Sequence, residues 1–202
     1  MTELKLYRAV VPKKNGKEEF CKYRETMRPP GNVPYLVDNL WEWLRPESYP
    51  CRRLSSYASP TPELALESGR KGSTVFELKF SGALKLAQLK SHADSKYHPE
   101  SSSTASEVIS LLGKSTNTWW PNLKRETKLK TGQLWMPCLT KNEVDELFAT
   151  VPELQAIRSE VISKVRYWED VEPLDLQTSH LPDEKGEIFF EAKEGYWLVP
   201  IS

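Results

Sequence analysis

Cysteine is scarce in this chain and never occurs in a metal-binding or redox spacing. Cys21, Cys51 and Cys138 are odd in number and form no C-x-x-C pair. Neither a disulfide framework nor a structural zinc site is expected from them, and reduced thiols in a cytoplasmic protein are the expectation. Charge of one sign is also lacking, because 28 Lys and Arg balance 28 Asp and Glu. No net field steers the whole protein onto nucleic acid or a membrane. No apolar run approaches a bilayer span, and the charged first thirty residues have no apolar h-region. Neither a membrane partner nor a secretory leader is therefore expected. The glycine signatures of P-loop and Rossmann nucleotide sites are missing. There is no G-x-S-x-G and no H-E-x-x-H; His92, His98 and His180 stand outside any catalytic or ligating motif, and no metal is expected.

The remaining composition is that of a globular protein. The 202 residues are 39% apolar and 10% aromatic, with seven tryptophans, enough to bury a core without covalent staples. Period-two patterning predicts strands at 4–11, 55–58 and 74–80. The C-terminus reads as a hairpin, 187–192 and 196–199 around the turn 193–195. Apolar residues at threes and fours predict a helix over 32–44 capped by Asn32. A short helix follows at about 62–68, stopped by Gly69. Residues 91–103 read as an exposed loop and 133–139 as a strand. Capping boxes at 104–107, 140–143 and 150–153 predict helix starts, with Gly113 closing the first and the others opening helices at 141–149 and 151–168. The stripe from Val144 to Trp168 reads as core packing. No internal repeat and no regular βαβ alternation is visible, so the expectation is one α+β domain with small mixed or antiparallel sheets and a helical insertion about 83–170.

The richest segment is Tyr57-Ala-Ser-Pro-Thr-Pro-Glu-Leu-Ala-Leu-Glu67. Ser59 and Thr61 stand where a strand turns into a helix, and Pro62 fits its first position. Such a junction gathers N–H groups and hydroxyls suited to an anion or polar ligand; ordinary helix capping by Thr61 explains the same residues. Tyr57 can offer a stacking face. Arg8 falls on the apolar face of the first strand with Leu4, Leu6 and Val10, where a guanidinium needs an anion or an ion pair. Glu187 opens the apolar strand Ile188-Phe189-Phe190, with Glu191 on the same face. A carboxylate there can stabilise an oxocarbenium-like cation, or simply be a surface glutamate. Glu67 sits at a helix C-terminus, against the dipole. Trp119-Trp120 with Lys124, Arg125, Lys128 and Lys130 reads either as a base-stacking, phosphate-neutralising patch or as core tryptophans beside a solvated basic edge.

The order Tyr7-Arg8, then Tyr57–Ala65, then the strand at 74–80, resembles the ADP-ribosyltransferase superfamily. That resemblance implies an NAD-binding core in which Arg8 contacts NAD, Ser59 and Thr61 shape the nicotinamide pocket, and Glu187 is catalytic. The run from Tyr57 to Glu67 is also similar to toxins of the RES class, which would promote Tyr57 and Glu67. No E-x-E pair marks arginine as acceptor. The resemblance implies a bacterial or phage transferase, acting on an intracellular protein or nucleic acid, with an antitoxin or regulator as a further partner. The alternative is a non-catalytic module that binds protein or nucleic acid through the Trp-rich basic segment.

Overall fold

The computed structural model describes residues 4–13, 17–177 and 183–201; His180 lies outside them. In chain order come β1 (Tyr7–Val10), β2 (Glu19–Cys21), α1 (Tyr35–Trp43), β3 (Ser56–Ala58), α2 (Pro62–Glu67), β4 (Thr74–Phe80) and β5 (Leu84–Leu89). Then follow α3 (Glu100–Thr116), α4 (Arg125–Gly132), α5 (Lys141–Thr150), α6 (Pro152–Gln155), α7 (Arg158–Lys164), β6 (Val171–Pro173), β7 (Glu187–Ala192) and β8 (Tyr196–Pro200). The class is α+β. The chain divides into two compact units, one from 1–27, 47–95 and 170–202, the other from 28–46 and 96–169. The helical segment therefore starts later than position 83, because β5 belongs to a sheet. No helix among the described residues is long and apolar enough to cross a membrane.

The first unit holds two four-stranded antiparallel sheets, ordered β1-β4-β8-β2 and β3-β7-β5-β6. Alternation along the strands supplies the core between them. Leu6 just before β1, with Phe76, Leu78 and Leu198 from one sheet, meets Ala58, Leu86, Ile188 and Phe190 from the other. Phe190 packs edge-on against Phe80 and Tyr196, with ring centroids 5.0 and 5.1 Å apart. The run Ile188-Phe189-Phe190 is apolar on both faces because β7 is covered on both, and all three residues are buried.

The C-terminal strands are not a hairpin. β7 pairs with β3 and β5, whereas β8 pairs with β4 and β2. The turn at 193–195 carries the chain from one sheet to the other. Alternation specifies which face of a strand is buried; it does not name the partner. Gly195 has φ 84°, and a Cβ there would meet the Phe20 ring at 2.5 Å and the Cys21 carbonyl at 2.6 Å. Glycine is needed for both reasons.

The second unit is helical. α1 starts at Tyr35, with Pro34 at its N-cap and no side-chain cap. Asn32 is not the cap, because a residue before proline disfavours helical backbone and Val33 is such a residue. Leu36, Val37, Leu40 and Trp41 are fully buried. Trp41 stacks on Tyr167 at 4.0 Å, and its Nε1 donates to Glu100 Oε2 at 2.7 Å. Trp43 stacks on Phe148 at 4.6 Å.

Three helix boundaries differ from those expected. α3 begins at Glu100, so 104–107 lies inside it with Thr104 buried, and it runs past Gly113 to Asn117 in left-handed backbone. Thr140 does form its capping box with Glu143. Thr150 does not cap; its Oγ1 donates to the Glu146 carbonyl, and Val151 precedes α6. Residues 151–168 form α6, α7 and a 3₁₀ turn rather than one helix. Residues 133–135 are 3₁₀, and 133–139 contains no strand. The stripe from Val144 to Val165 is buried, as core packing requires, with Trp168 half-buried.

Candidate functional site

The site begins where β1 and the end of β3 exchange backbone hydrogen bonds. Tyr7 N donates to Ser59 O at 2.9 Å, and Ser59 N donates to Tyr7 O at 2.7 Å. This bridge joins an edge strand of one sheet to an edge strand of the other. Beside it opens a cavity of about 190 Å³, lined by Arg8, Tyr57, Ser59, Ala65, Ser68 and Glu187 among others. Four residues singled out from the sequence, drawn from β1, β3 and its following residue, and β7, thus share one hollow.

Arg8 lies opposite Phe76 in the β1–β4 register, so its side chain leaves the core-facing side of the strand. Its guanidinium is held there by Tyr196, whose hydroxyl accepts from Arg8 Nη1 at 2.5 Å and donates to Ser56 Oγ at 3.4 Å. Burial pushes the Tyr196 phenol above its ordinary pKa, against the pull of Arg8. The phenol therefore stays neutral as it holds the Arg8 guanidinium in place. Tyr57 donates its hydroxyl to the Arg52 carbonyl at 3.1 Å, which fixes the ring that lines the cavity.

Glu187 is set by what precedes it. A Cβ at Gly186 would meet the Gln88 side chain and the Leu89 carbonyl at 2.6 Å, so only glycine allows this approach of the turn to β5. Gln88 clamps that turn, donating to Asp183 O at 2.7 Å and accepting from Asp183 N at 2.8 Å. The Glu187 side chain keeps only 12% of its exposure. Its Oε2 accepts from Ser95 Oγ at 2.6 Å and Ser95 N at 3.3 Å, and Arg52 Nη1 is 4.0 Å away. Arg52 also donates to Ser95 Oγ, forming a relay from guanidinium to hydroxyl to carboxylate. Burial raises the Glu187 pKa and outweighs the lowering by Arg52 and Ser95.

Arg52 and Ser95 carry no signal in the sequence. One lies in a Pro/Arg/Ser loop, the other in a stretch expected to be exposed, yet Ser95 is fully buried and Arg52 nearly so. Thr61 does not line the cavity. Its Oγ1 accepts from Leu64 N at 3.2 Å, so its structure is that of an ordinary N-cap. Glu67 ends α2 exposed and outside the lining; the neighbouring Ser68 and Ala65 are the α2-side walls. Glu191 is buried in structural bonds, accepting from Cys51 N and from Tyr23 Oη at 3.2 Å. Burial and that carboxylate push the Tyr23 phenol up to about 12.

The relay makes a direct prediction. Replacing Ser95 by alanine removes the hydroxyl hydrogen bond that favours the charged carboxylate and leaves the one from the backbone N–H, so the Glu187 pKa rises further above the ordinary carboxylate value. A ¹³C-detected titration of the Glu187 side chain checks this: the midpoint moves to higher pH in Ser95→Ala. An unmoved midpoint contradicts the relay.

Chemically, the hollow offers a fixed cation, an aromatic face, two serine hydroxyls and a poorly solvated carboxylate. Comparison of the chain with protein-family models, curated proteins and solved structures returns no match.

Proposed function

We propose that this chain cleaves the nicotinamide–ribose bond of NAD and transfers ADP-ribose to a macromolecule, with hydrolysis as the same chemistry when water is the acceptor. The observation that carries this reading is the common lining of one cavity by Arg8, Tyr57, Ser59 and Glu187. At about 190 Å³ the cavity is smaller than the roughly 300–1,000 Å³ of pockets that enclose whole ligands. It suits the nicotinamide-ribose end of NAD, with the remainder lying outside it.

In this reading the nicotinamide ring lies against Tyr57, and Ser59 faces the adjoining ribose. Arg8 binds the pyrophosphate or the ribose next to it through its paired donors. The C–N bond to C1′ breaks with its electron pair passing to the pyridinium nitrogen, which becomes neutral. The ribose is left as an oxocarbenium-like cation. Glu187, ionised, stabilises that charge and hydrogen-bonds the ribose. The acceptor then attacks C1′ and gives up its proton. Thr61 has no part, because its oxygen caps α2.

Incubation with NAD labelled in the nicotinamide tests the proposal. Wild-type protein releases labelled nicotinamide. Arg8→Ala raises KM by about 10- to 100-fold, the size of a lost charged hydrogen-bonding partner, and Arg8→Lys recovers part of it. Release that survives Arg8→Ala unchanged removes Arg8 from the site. Absence of both NAD binding at millimolar ligand and nicotinamide release returns the chain to the non-catalytic alternative.

A further inference from the structure

The helical unit has a second concave surface that NAD cleavage does not use. α3 ends at Thr116, and Asn117 takes a left-handed conformation with φ 48°. Asn117 N donates to Lys114 O and Thr118 N to Gly113 O. This closing turn sends the chain off the helix and leaves Trp119 65% exposed. Neither Trp119 nor the half-buried Trp120 is a core residue. A cavity of about 410 Å³ lies beside the indole, lined by Ser110, Gly113, Lys114, Asn117, Thr118 and Trp119. Its lining contains a cation, an amide and hydroxyls, and no carboxylate.

Thr118 also borders a neighbouring hollow of about 520 Å³ that carries Lys124 and Lys130. Two carboxylates line this hollow, and both are engaged. Glu126 pairs with Lys130 at 2.8 Å, and Glu153 accepts from Thr127 Oγ1 at 3.0 Å. From Lys124 to Lys130 the chain carries four cations and one carboxylate. An exposed indole in a nucleotide-sized hollow, leading into a cationic segment, matches the stacking and charge that single strands require. A duplex keeps its base faces stacked on each other and offers none to Trp119.

We infer that this surface binds single-stranded nucleic acid, one base stacking on Trp119 beside Lys114 and the phosphates passing Thr118 to Lys124, Arg125 and Lys128. The inference stands apart from NAD cleavage, since it uses other residues and needs no NAD.

Fluorescence anisotropy of labelled oligothymidine and oligouridine of about 20 nucleotides, titrated with the full chain without NAD, tests it. The wild type binds at low salt, with log affinity falling linearly with log salt concentration. Trp119→Ala weakens binding by about 5- to 100-fold, the size of one base–aromatic stack. Combined Lys124→Ala, Arg125→Ala and Lys128→Ala flattens the salt slope by about two, at about 0.7 per phosphate contact on a single strand. The substituted side chains are not core residues, and unchanged circular-dichroism melts confirm folding. Any of four results overturns the inference: no binding at low salt, less than twofold loss in Trp119→Ala, an unmoved slope in the triple variant, or equal affinity for a duplex or an acidic peptide.

Discussion

Glu187→Gln lowers the rate of nicotinamide release by about 10²–10³-fold, the loss seen when one preorganised electrostatic group is removed from a developing charge. The amide has the same shape and can still accept from Ser95 Oγ, but it carries no charge to oppose an oxocarbenium. Loss of folding is not the expected cause. The folded-state pKa of Glu187 is raised by burial, so the ionised form is less favourable in the folded protein than in the unfolded chain. Ionisation of this group therefore works against folding as pH rises from the ordinary carboxylate value through its own pKa. A neutral amide removes that cost at neutral pH. Single-turnover release, measured beside thermal melts at pH 7, separates the two effects: the melt is held or raised while release collapses. A variant that releases nicotinamide at the wild-type rate removes Glu187 from the chemistry. For the same reason the acidic limb of the wild-type pH profile lies above the usual carboxylate range.

Trp41→Ala destabilises the helical unit by about 3–5 kcal/mol. The indole is fully buried, stacks on Tyr167 at 4.0 Å and meets His98 edge-on at 5.8 Å. Its removal opens a cavity too enclosed to refill by small shifts. It also takes a donor from Glu100, a buried carboxylate that otherwise accepts from Arg166 N at 2.6 Å. Losing one partner of a buried charged group adds to the cavity cost. Urea unfolding followed by circular dichroism should show the transition moved to lower denaturant. Trp41→Phe, which keeps the ring and loses the donor, falls between. A shift corresponding to less than about 1 kcal/mol would contradict this packing.

The sheet unit was readable where alternation was strong. Phe76, Leu78 and Phe80 identify β4, and Ile188-Phe189-Phe190 identifies a strand covered on both faces. Pairing was not readable, because alternation is silent about partners; hence β7 and β8 read as one hairpin and belong to two sheets. β5 has only weak alternation in Leu-Lys-Leu-Ala-Gln-Leu, which does not mark it as a strand. In the helical unit, Thr140 fulfils its box, whereas the box at Thr104 is overridden by a helix that starts four residues earlier.

The candidate site divides the same way. Arg8 and Glu187 were conspicuous because a charge on an apolar strand is costly without a reason. Tyr57 and Ser59 stood out through the strand-to-helix junction. That local logic also pointed to Thr61 and Glu67, which capping and exposure account for. Arg52 and Ser95 act through contacts between residues distant in sequence, 43 positions apart from each other and 92 from Ser95 to Glu187. No local pattern could reveal them.

A structure of Glu187→Gln determined with NAD tests the central claim most directly, because slowed cleavage keeps the substrate whole. The account predicts nicotinamide against Tyr57, C1′ of its ribose facing residue 187, and a phosphate or ribose oxygen on Arg8. NAD seated elsewhere, or a hollow beside Arg8 and Ser59 that stays empty at millimolar NAD, contradicts it.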